Sequence, residues 1–475
     1  MTAQTILPAN STTGGFEVSN SLRFNVASTD YLALTPGSAG NTKLWTWSAW
    51  FKKSVIGADM GLFGQFVDAN NGFRIKFRDD DRLQVDNYAS GSATMNLILT
   101  QQLKDPAAWY HLVVAYDSAQ STASNTVKIY INGTRVTAFN TETYPSQNVV
   151  TTLPIDGSPM ELGRTTQSSN DPQYFGGYFS EVVLVDGQAL DSTSFGEFDE
   201  DSGIWKPINV NTLTYGTNGF HLEFKGSGTG TNASGMGADT SGNDDHFAVN
   251  NLTAVDQSTD TCTNNFATWN PLGALSTPPT FSDGNLTAAI PNSGGVFRST
   301  VAVSSGKWYC EAKVVSLNAA VIGIQPIDSV YNVSIFSDSS GIGLYGTSGE
   351  IYKNGSNIGG VASVSNNDIV GMAIDLDNNN IYFSVNGQYG SALSGAWNQA
   401  FGSAYAVAIN SGHTYAISSA NGGSGTSSNI SINFGSPPYA ISSGNADGDG
   451  HGNFEYAVPS GYFAICTKNL AEYGG

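Results

Sequence analysis

The chain has 475 residues, with 39 Asp and Glu against 19 Lys and Arg, a net charge of −20 and an isoelectric point near 4.4. That balance excludes duplex nucleic acid as a natural partner, because such binding needs clustered basic side chains to release counterions. The length exceeds the roughly 250 to 300 residues at which single cores stop growing, so at least two domains are expected. Charged residues make up only 12% of the chain, against about 25% in an average domain. With 55 glycines present, the surface is expected to be clothed in Ser, Thr, Asn and Gly and broken by frequent turns. No apolar run approaches the ~18 residues of a membrane-crossing helix. The start MTAQTILPANSTTGG lacks the basic region and apolar stretch of a signal peptide.

In chain order, a polar N-terminal arm (1–19) precedes NSLRFNVASTDYLALTP, which reads as two short strands around a Ser-Thr-Asp turn. LWTWSAWFKKS then alternates Trp45, Trp47, Ala49 and Phe51 on one face with Thr46, Ser48 and Trp50 on the other, the period of two that marks a strand. Shorter strands follow at GLFGQF, GFRIKF and RLQVDN, the last two separated by the acidic turn Asp79-Asp80-Asp81. Arg74, Lys76 and Arg78 alternate with Phe73, Ile75 and Phe77, which predicts the solvent face of an amphipathic strand. Next come WYHLVVAYDS…VKIYINGTRV, MELGR and GGYFSEVVLVDGQAL; STSFGEFDE is the one stretch that reads as helical, for a turn or two. Residues 206–262 are rich in Gly, Asn and Asp and read as a patterned connector that packs on a domain. Strands resume through SGKWYCEAKVVS and AAVIGIQ to DIVGMAIDLDNNNIYFSVNGQ. This last segment repeats an earlier device: an apolar strand, a turn opened by Asp117 or Asp375, an alternating strand, and an Asn-Gly pair (Asn132-Gly133, Asn386-Gly387) suited to a tight hairpin. The expectation is an all-β chain of two tandem antiparallel β-sandwich (jelly-roll) domains, 20–205 and 263–475, joined by the Gly/Asn-rich connector.

Catalytic chemistry finds little support in the residues. Three cysteines (Cys262, Cys310, Cys466) lack CxxC spacing, so they predict core packing rather than zinc or disulfides. Five scattered histidines lie near no G-x-S-x-G elbow, and GGSGTSSN (422–429) lacks the Lys-Ser/Thr of a phosphate loop. Asp375-Leu-Asp377-Asn-Asn379 imitates the start of a calcium loop but has Asn380 sixth and Asn386 twelfth, and is better explained as a turn. Asp447-Gly-Asp449-Gly-His451-Gly452 has Gly sixth but Val458 twelfth; Asp447, Asp449 and His451 are candidate ligands for a weakly held calcium ion, and no other cofactor is expected.

The segments SLRF, DYLALTP, TWSAWFK, WYHLVVAYD, VKIYINGTRV, ELGR and FSEVVLVDGQAL together resemble the laminin-G-type, concanavalin-A-like jelly roll over residues 20–205. The version they are most similar to occurs in structural proteins of tailed phages from aquatic environments. SGKWYCEAKV, DIVGMAIDLDNNNIYFSVNGQ and INFG resemble a SPRY-type sandwich over about 263–440. The first fold also hosts glycan-cleaving enzymes whose carboxylates follow Glu-x-Asp-x-x-Glu; here the nearest match, Glu197 to Ser202, has Ser202 where the second Glu belongs. The resemblance therefore implies a non-enzymatic virion surface protein, in a tail fibre or decorating the head, that adheres to host glycan or envelope protein. A purely structural virion module and a glycan-degrading enzyme are the alternatives. Implied partners are other virion proteins and a host surface glycan, without nucleic acid or membrane insertion. A homotrimer would have to be built from sandwich faces or the N-terminal arm, since no heptads occur. Release would be by host lysis. If glycan is bound, the candidate residues are the loops carrying Asp68, Asn70 and Asn71, the turn Asp79, Asp80 and Asp81, and Tyr88.

Overall fold

A computed structural model describes residues 15–166, 171–273, 277–292, 295–329, 338–360, 362–390, 397–421 and 427–474. The chain is all-β and nearly wholly antiparallel, as the alternating pattern predicts, and it divides at Thr263 into two compact units.

In the first unit an eight-stranded sheet runs, edge to edge, through Thr134–Arg135, Val127–Ile131, Trp109–Asp117, Leu44–Lys53, Gly177–Asp186, Ser21–Phe24 and Gln257–Ser258, with Phe220–Leu222 also paired to Gly177–Asp186. A second eight-stranded sheet runs through Phe139–Thr143, Ser92–Gln102, Arg82–Ala89, Asn71–Phe77, Met60–Asp68, Met160–Leu162, Tyr31–Leu34 and Ala248–Asn250. Between them lies one apolar core, in which Trp47 stacks on Phe63 at 5.4 Å and Trp45 meets Phe73 edge-on at 5.1 Å. Trp45, Trp47, Ala49 and Phe51 all face this core.

The opposite face of the first sheet is buried too. Trp50, Trp109 and Tyr178 pack with Val18, Trp205 and Cys262, while Val113, Val183 and Val185 pack with Phe195, Val210 and Tyr215. Residues 206–262, read from the sequence as a connector, are therefore an integral layer of this unit and supply three strands to its sheets. Of the N-terminal arm, 1–14 lie outside the described residues; Val18 is buried and donates its amide to Thr263 Oγ1 at 3.1 Å. STSFGEFDE is a single 3-10 turn at Ser192–Ser194 followed by the strand Gly196–Phe198, which pairs with Trp205–Pro207. Helix is limited there because the chain enters a hairpin that covers the sheet.

Burial of this second face encloses charge. Lys52, 1% exposed, reaches Asp260 Oδ2 at 2.8 Å, and the indole of Trp109 donates to Asp260 Oδ1 at 3.1 Å. On the other side of the same strand end, Lys53 pairs with Asp81 at 2.8 Å, and burial pulls its pKa down against that partner.

The second unit is also a two-sheet sandwich. Among the described residues, a nine-stranded sheet is centred on Lys307–Ser316, Ile369–Asp375 and Asn380–Val385, and a six-stranded sheet on Tyr415–Asn421 and Ala320–Pro326. Trp269 and Trp308 fill the core between them. The outer face of the nine-stranded sheet, carrying Tyr309, Ala373 and Tyr382, is covered by Phe454, Tyr462 and Cys466 of the C-terminal segment. Glu311 lies under the same cover, fully buried, and accepts the amides of Glu455 and Tyr456 at 2.9 and 2.8 Å.

Both Asn-Gly pairs adopt the positive φ expected of them: 46° and 78° at Asn132 and Gly133, 51° and 73° at Asn386 and Gly387. Each Asn also caps its neighbouring strand. Asn132 Oδ1 accepts the His111 amide at 2.7 Å, and Asn386 Oδ1 accepts the Ile369 amide at 3.0 Å. In each unit an aromatic ring of the trailing segment, Trp205 or Tyr456, lies so close over the glycine that a Cβ there would collide with it.

Two outcomes are expected. Asp260→Ala strands a buried ammonium and should lower unfolding free energy by ~3–5 kcal/mol in a urea titration. Burial pushes Glu311 up to about 7, so its protonated form is favoured in the folded state. Its contribution to stability is full below the unfolded value of about 4.5 and is lost as pH rises to about 7. The melting temperature of the second unit should fall across that window, and Glu311→Gln should flatten the slope.

Candidate functional site

The strands Met60–Asp68 and Asn71–Phe77 are joined by a tight turn at Ala69-Asn70, and Gly72 pairs with Tyr88 on the next strand. This register brings Asp68, Asn71 and Tyr88 around one recess. It has a volume of about 140 Å³ and is lined by Phe66, Asp68, Ala69, Asn71, Gly72, Arg74, Tyr88 and Thr166. The polar rim is held by its own bonds. Asn71 Nδ2 donates to both oxygens of Asp68 at 2.9 and 3.0 Å, the Asn70 amide donates to Asp68 Oδ1 at 2.7 Å, and Asn71 Oδ1 accepts the Ser90 amide at 3.0 Å. Tyr88 is half-buried, with the Arg74 guanidinium 5.2 Å from its ring centroid.

Arg74 overturns the reading of FRIKFR as a solvent face. Arg74 and Lys76 are 7% and 6% exposed. Arg74 forms a two-pronged pair with Asp86 at 2.9 and 3.0 Å, while Lys76 faces Asp59 and Gln173. The hairpin Arg164–Thr166 and Pro172–Tyr174 packs against these strands, and alternation alone does not distinguish a covered polar face from a wet one. Arg74, which lines the recess, is thus neutralised by Asp86 behind it, and the Asp68 carboxylate lines the recess as well.

The other candidate residues lie elsewhere. Asp79, Asp80 and Asp81 sit in the turn at the far end of Asn71–Phe77, and at ~3.3 Å per residue they are some 25 Å from the recess. Asp79 is exposed, Asp80 pairs with Arg82 at 2.7 Å, and Asp81 is the buried partner of Lys53. Asp80 and Asp81 are engaged in holding the turn to the sheet.

The catalytic candidates resolve into structural roles. The Asp199 carboxylate accepts the Ser202 amide and hydroxyl at 2.9 and 2.8 Å and meets Lys206 at 3.2 Å; these bonds hold its pKa well below the usual range. Ser48 Oγ lies 2.8 Å from His111 Nε2, a spacing suited to nucleophile and base. The indole of Trp205, however, donates to His111 Nδ1 at 3.0 Å. A neutral imidazole then carries its proton on Nε2, facing the serine, so it cannot accept the serine proton. Burial pulls the His111 pKa down to about 3, which keeps that neutral form throughout the physiological range.

Asp447 is similarly occupied. Its Oδ1 accepts the amides of Asp449 and His451 at 3.0 and 2.8 Å, and its Oδ2 accepts the Ala464 amide and Asn469 Nδ2 at 2.9 and 2.8 Å. Four donors fill the lone-pair directions that a cation would use. Asp375 accepts the Asn378 amide and side chain in its hairpin turn. The three cysteines are buried and lie outside any disulfide, and burial raises all three thiol pKa values.

Sequence reasoning missed one cluster. Glu181, His221 and Glu223 are buried with one ligand atom of each within 4.8 Å of the others. Its signal was His-x-Glu in the otherwise apolar FHLEF, which puts two polar side chains on one face of a strand.

Comparison with known proteins places the recess in a recognised kind of domain. Residues 26–193 match the laminin G family described as the concanavalin A-like lectin/glucanases superfamily. No curated protein matches the chain. Among solved structures, the SPRY domain of human HERC1 is similar at 16% identity, covering 34% of this chain and 96% of that one, with a TM-score of 0.28. A heptameric SAP-like pentraxin from Limulus polyphemus is similar at 12% identity, covering 37% and 80%, with a TM-score of 0.28. A carbohydrate-binding protein, so described on a provisional basis, from Bacteroides ovatus is similar at 15% identity, covering 50% and 59%, with a TM-score of 0.33.

Proposed function

We propose that this chain is a non-enzymatic carbohydrate-binding protein whose first unit holds one sugar residue in the Asp68/Asn71/Tyr88 recess. The observation that carries this reading is the recess itself. Two aromatic rings, Phe66 and Tyr88, line it together with Asp68, Asn71 and Thr166, a mix that suits sugar C–H groups and hydroxyls. The rim is already bonded into one arrangement, so little ordering entropy is lost on binding. An uncharged sugar is favoured over a uronic or sialic acid. Arg74 is neutralised by Asp86, Asp68 adds negative charge at the rim, and the chain as a whole carries −20. The match of residues 26–193 to a lectin-and-glucanase superfamily agrees with this class of ligand.

The non-catalytic part of the proposal rests on the occupied states of Asp199 and His111 and on the recess having a single carboxylate where glycosidic cleavage needs two. On a glycan array, binding of neutral oligosaccharides should fall at least tenfold for Tyr88→Ala and for Asp68→Ala, ~1.4 kcal/mol each. Asp80→Ala should bind like the parent, and no reducing sugar should be released. Binding that survives both recess substitutions would move the site elsewhere.

The setting we propose is the surface of a tailed-phage particle, where the first unit would attach to host glycan; the support is the sequence resemblance over residues 20–205. Immunogold labelling of intact particles carrying this chain should decorate fibre tips or the head shell. Label together with an empty glycan array would favour the purely structural module.

A further inference from the structure

We infer that the outer face of the first sheet carries a metal site, formed by Glu181, His221 and Glu223, that takes one divalent ion of the zinc or manganese class. The site is assembled by backbone features. Gly177–Asp186 shifts register between Ser180 and Val183, and Glu181 sits in that bulge at a φ of 47°. A bulge adds a residue to one strand and re-aims its side chain. Here Phe179 and Val182 both stay in the core, while Glu181 turns outward. The strand Phe220–Leu222 pairs beside it with His221 opposite Val183, and Glu223 follows two residues on, on the His221 face.

Three donors of the right kind therefore converge, an imidazole and two carboxylates, with ligand atoms within 4.8 Å of each other. Metal–ligand bonds of about 2.0 to 2.2 Å in a tetrahedral shell place ligand atoms ~3.4 Å apart. Side-chain shifts totalling up to ~1.4 Å close the difference from the widest spacing. His221 Nε2 already lies 2.8 Å from Glu181 Oε2, and its second ring nitrogen meets Thr240 Oγ1 at 3.2 Å, the outer contact that orients a metal-bound histidine.

Charge points the same way, independently of the spacing. All three residues are more than nine-tenths buried. Among the described residues the Glu181 carboxylate bonds His221, and Glu181 also lines a small cavity beside Ser48 and His111. The cation at hand is Lys225, which meets Glu223 Oε1 at 2.6 Å from a largely exposed side chain. A divalent ion with two carboxylates and a neutral imidazole would make the buried set electrically neutral. The imidazole disfavours calcium and magnesium, which prefer all-oxygen shells. Since Glu181 lies on the central part of the sheet and the other two ligands on the trailing segment, the ion would clamp that segment in place.

The test uses the full chain stripped with chelator and titrated calorimetrically with Zn²⁺, with Mg²⁺ as control, while amide exchange is followed by mass spectrometry. One Zn²⁺ per chain should bind at least a hundredfold more tightly than Mg²⁺, and exchange at residues 220–223 should slow on its addition. Glu223→Gln should weaken Zn²⁺ binding at least tenfold. Absence of stoichiometric binding overturns the inference, as does binding that leaves exchange at 220–223 unchanged. The exchange measurement needs only the native chain, so it decides the matter even if the variant does not fold.

Discussion

A sheet that carries tryptophan on both faces cannot leave either face wet, and much of this architecture follows from that constraint. In Leu44–Lys53, Trp45 and Trp47 face the sandwich core while Trp50 faces outward, and every residue from Trp45 onward is buried. A two-layer jelly roll covers only one of those faces. The second is covered by residues 195–262, which bring Trp205, Val210, Tyr215 and Cys262 down on it. Burying large aromatic and aliphatic side chains contributes ~1.5–3 kcal/mol each, and the same cover encloses Lys52, which would be costly without Asp260 from the same segment. The cover and the counter-charge arrive together.

The second unit meets the same constraint in the same way. Tyr309, Ala373 and Tyr382 face outward from its larger sheet and are covered by the C-terminal segment. Each cover contains a Cys-Thr pair whose threonine hydroxyl accepts an amide from near the start of its own unit: Val18 to Thr263 Oγ1 at 3.1 Å, and Asn265 to Thr467 Oγ1 at 3.0 Å. Each cover also lays an aromatic ring on the glycine of an Asn-Gly turn. A residue near the start of each unit is thus tied to that unit's cover, and the turn glycines are fixed by φ and by contact at once.

The alternation of Val127, Ile129 and Ile131, and of Ile381, Phe383 and Val385, was enough to place these strands and their core faces, because a period of two leaves little freedom once one face is apolar. What lay over the other face was harder to read. Arg74 and Lys76 look like solvent-facing residues until a hairpin some 90 positions later covers them. Residues 206–262 look like a connector because their strands are only two or three residues long, paired to partners far away in sequence. Consecutive hairpin turns fall at opposite ends of their shared strand, which is why the turn at 69–70 and the turn at 78–81 lie apart.

The recess and the Glu181 cluster show where such a fold leaves room for function. Both lie where regular pairing is interrupted. The recess forms where Phe66 and Asp68 shift register against the neighbouring strand and Gly72 contributes no side chain to fill the space. The cluster forms at the bulge that turns Glu181 out of the core. Irregularities of this kind cost ladder hydrogen bonds, and they persist when the surrounding sheet fixes them. Here the sheet does so from both sides, with Trp47 and Phe179 beneath and the trailing segment above. The same double cover that stabilises the sheet therefore also holds its bulge in place, and a polar cluster can lie there within a surface that is otherwise apolar.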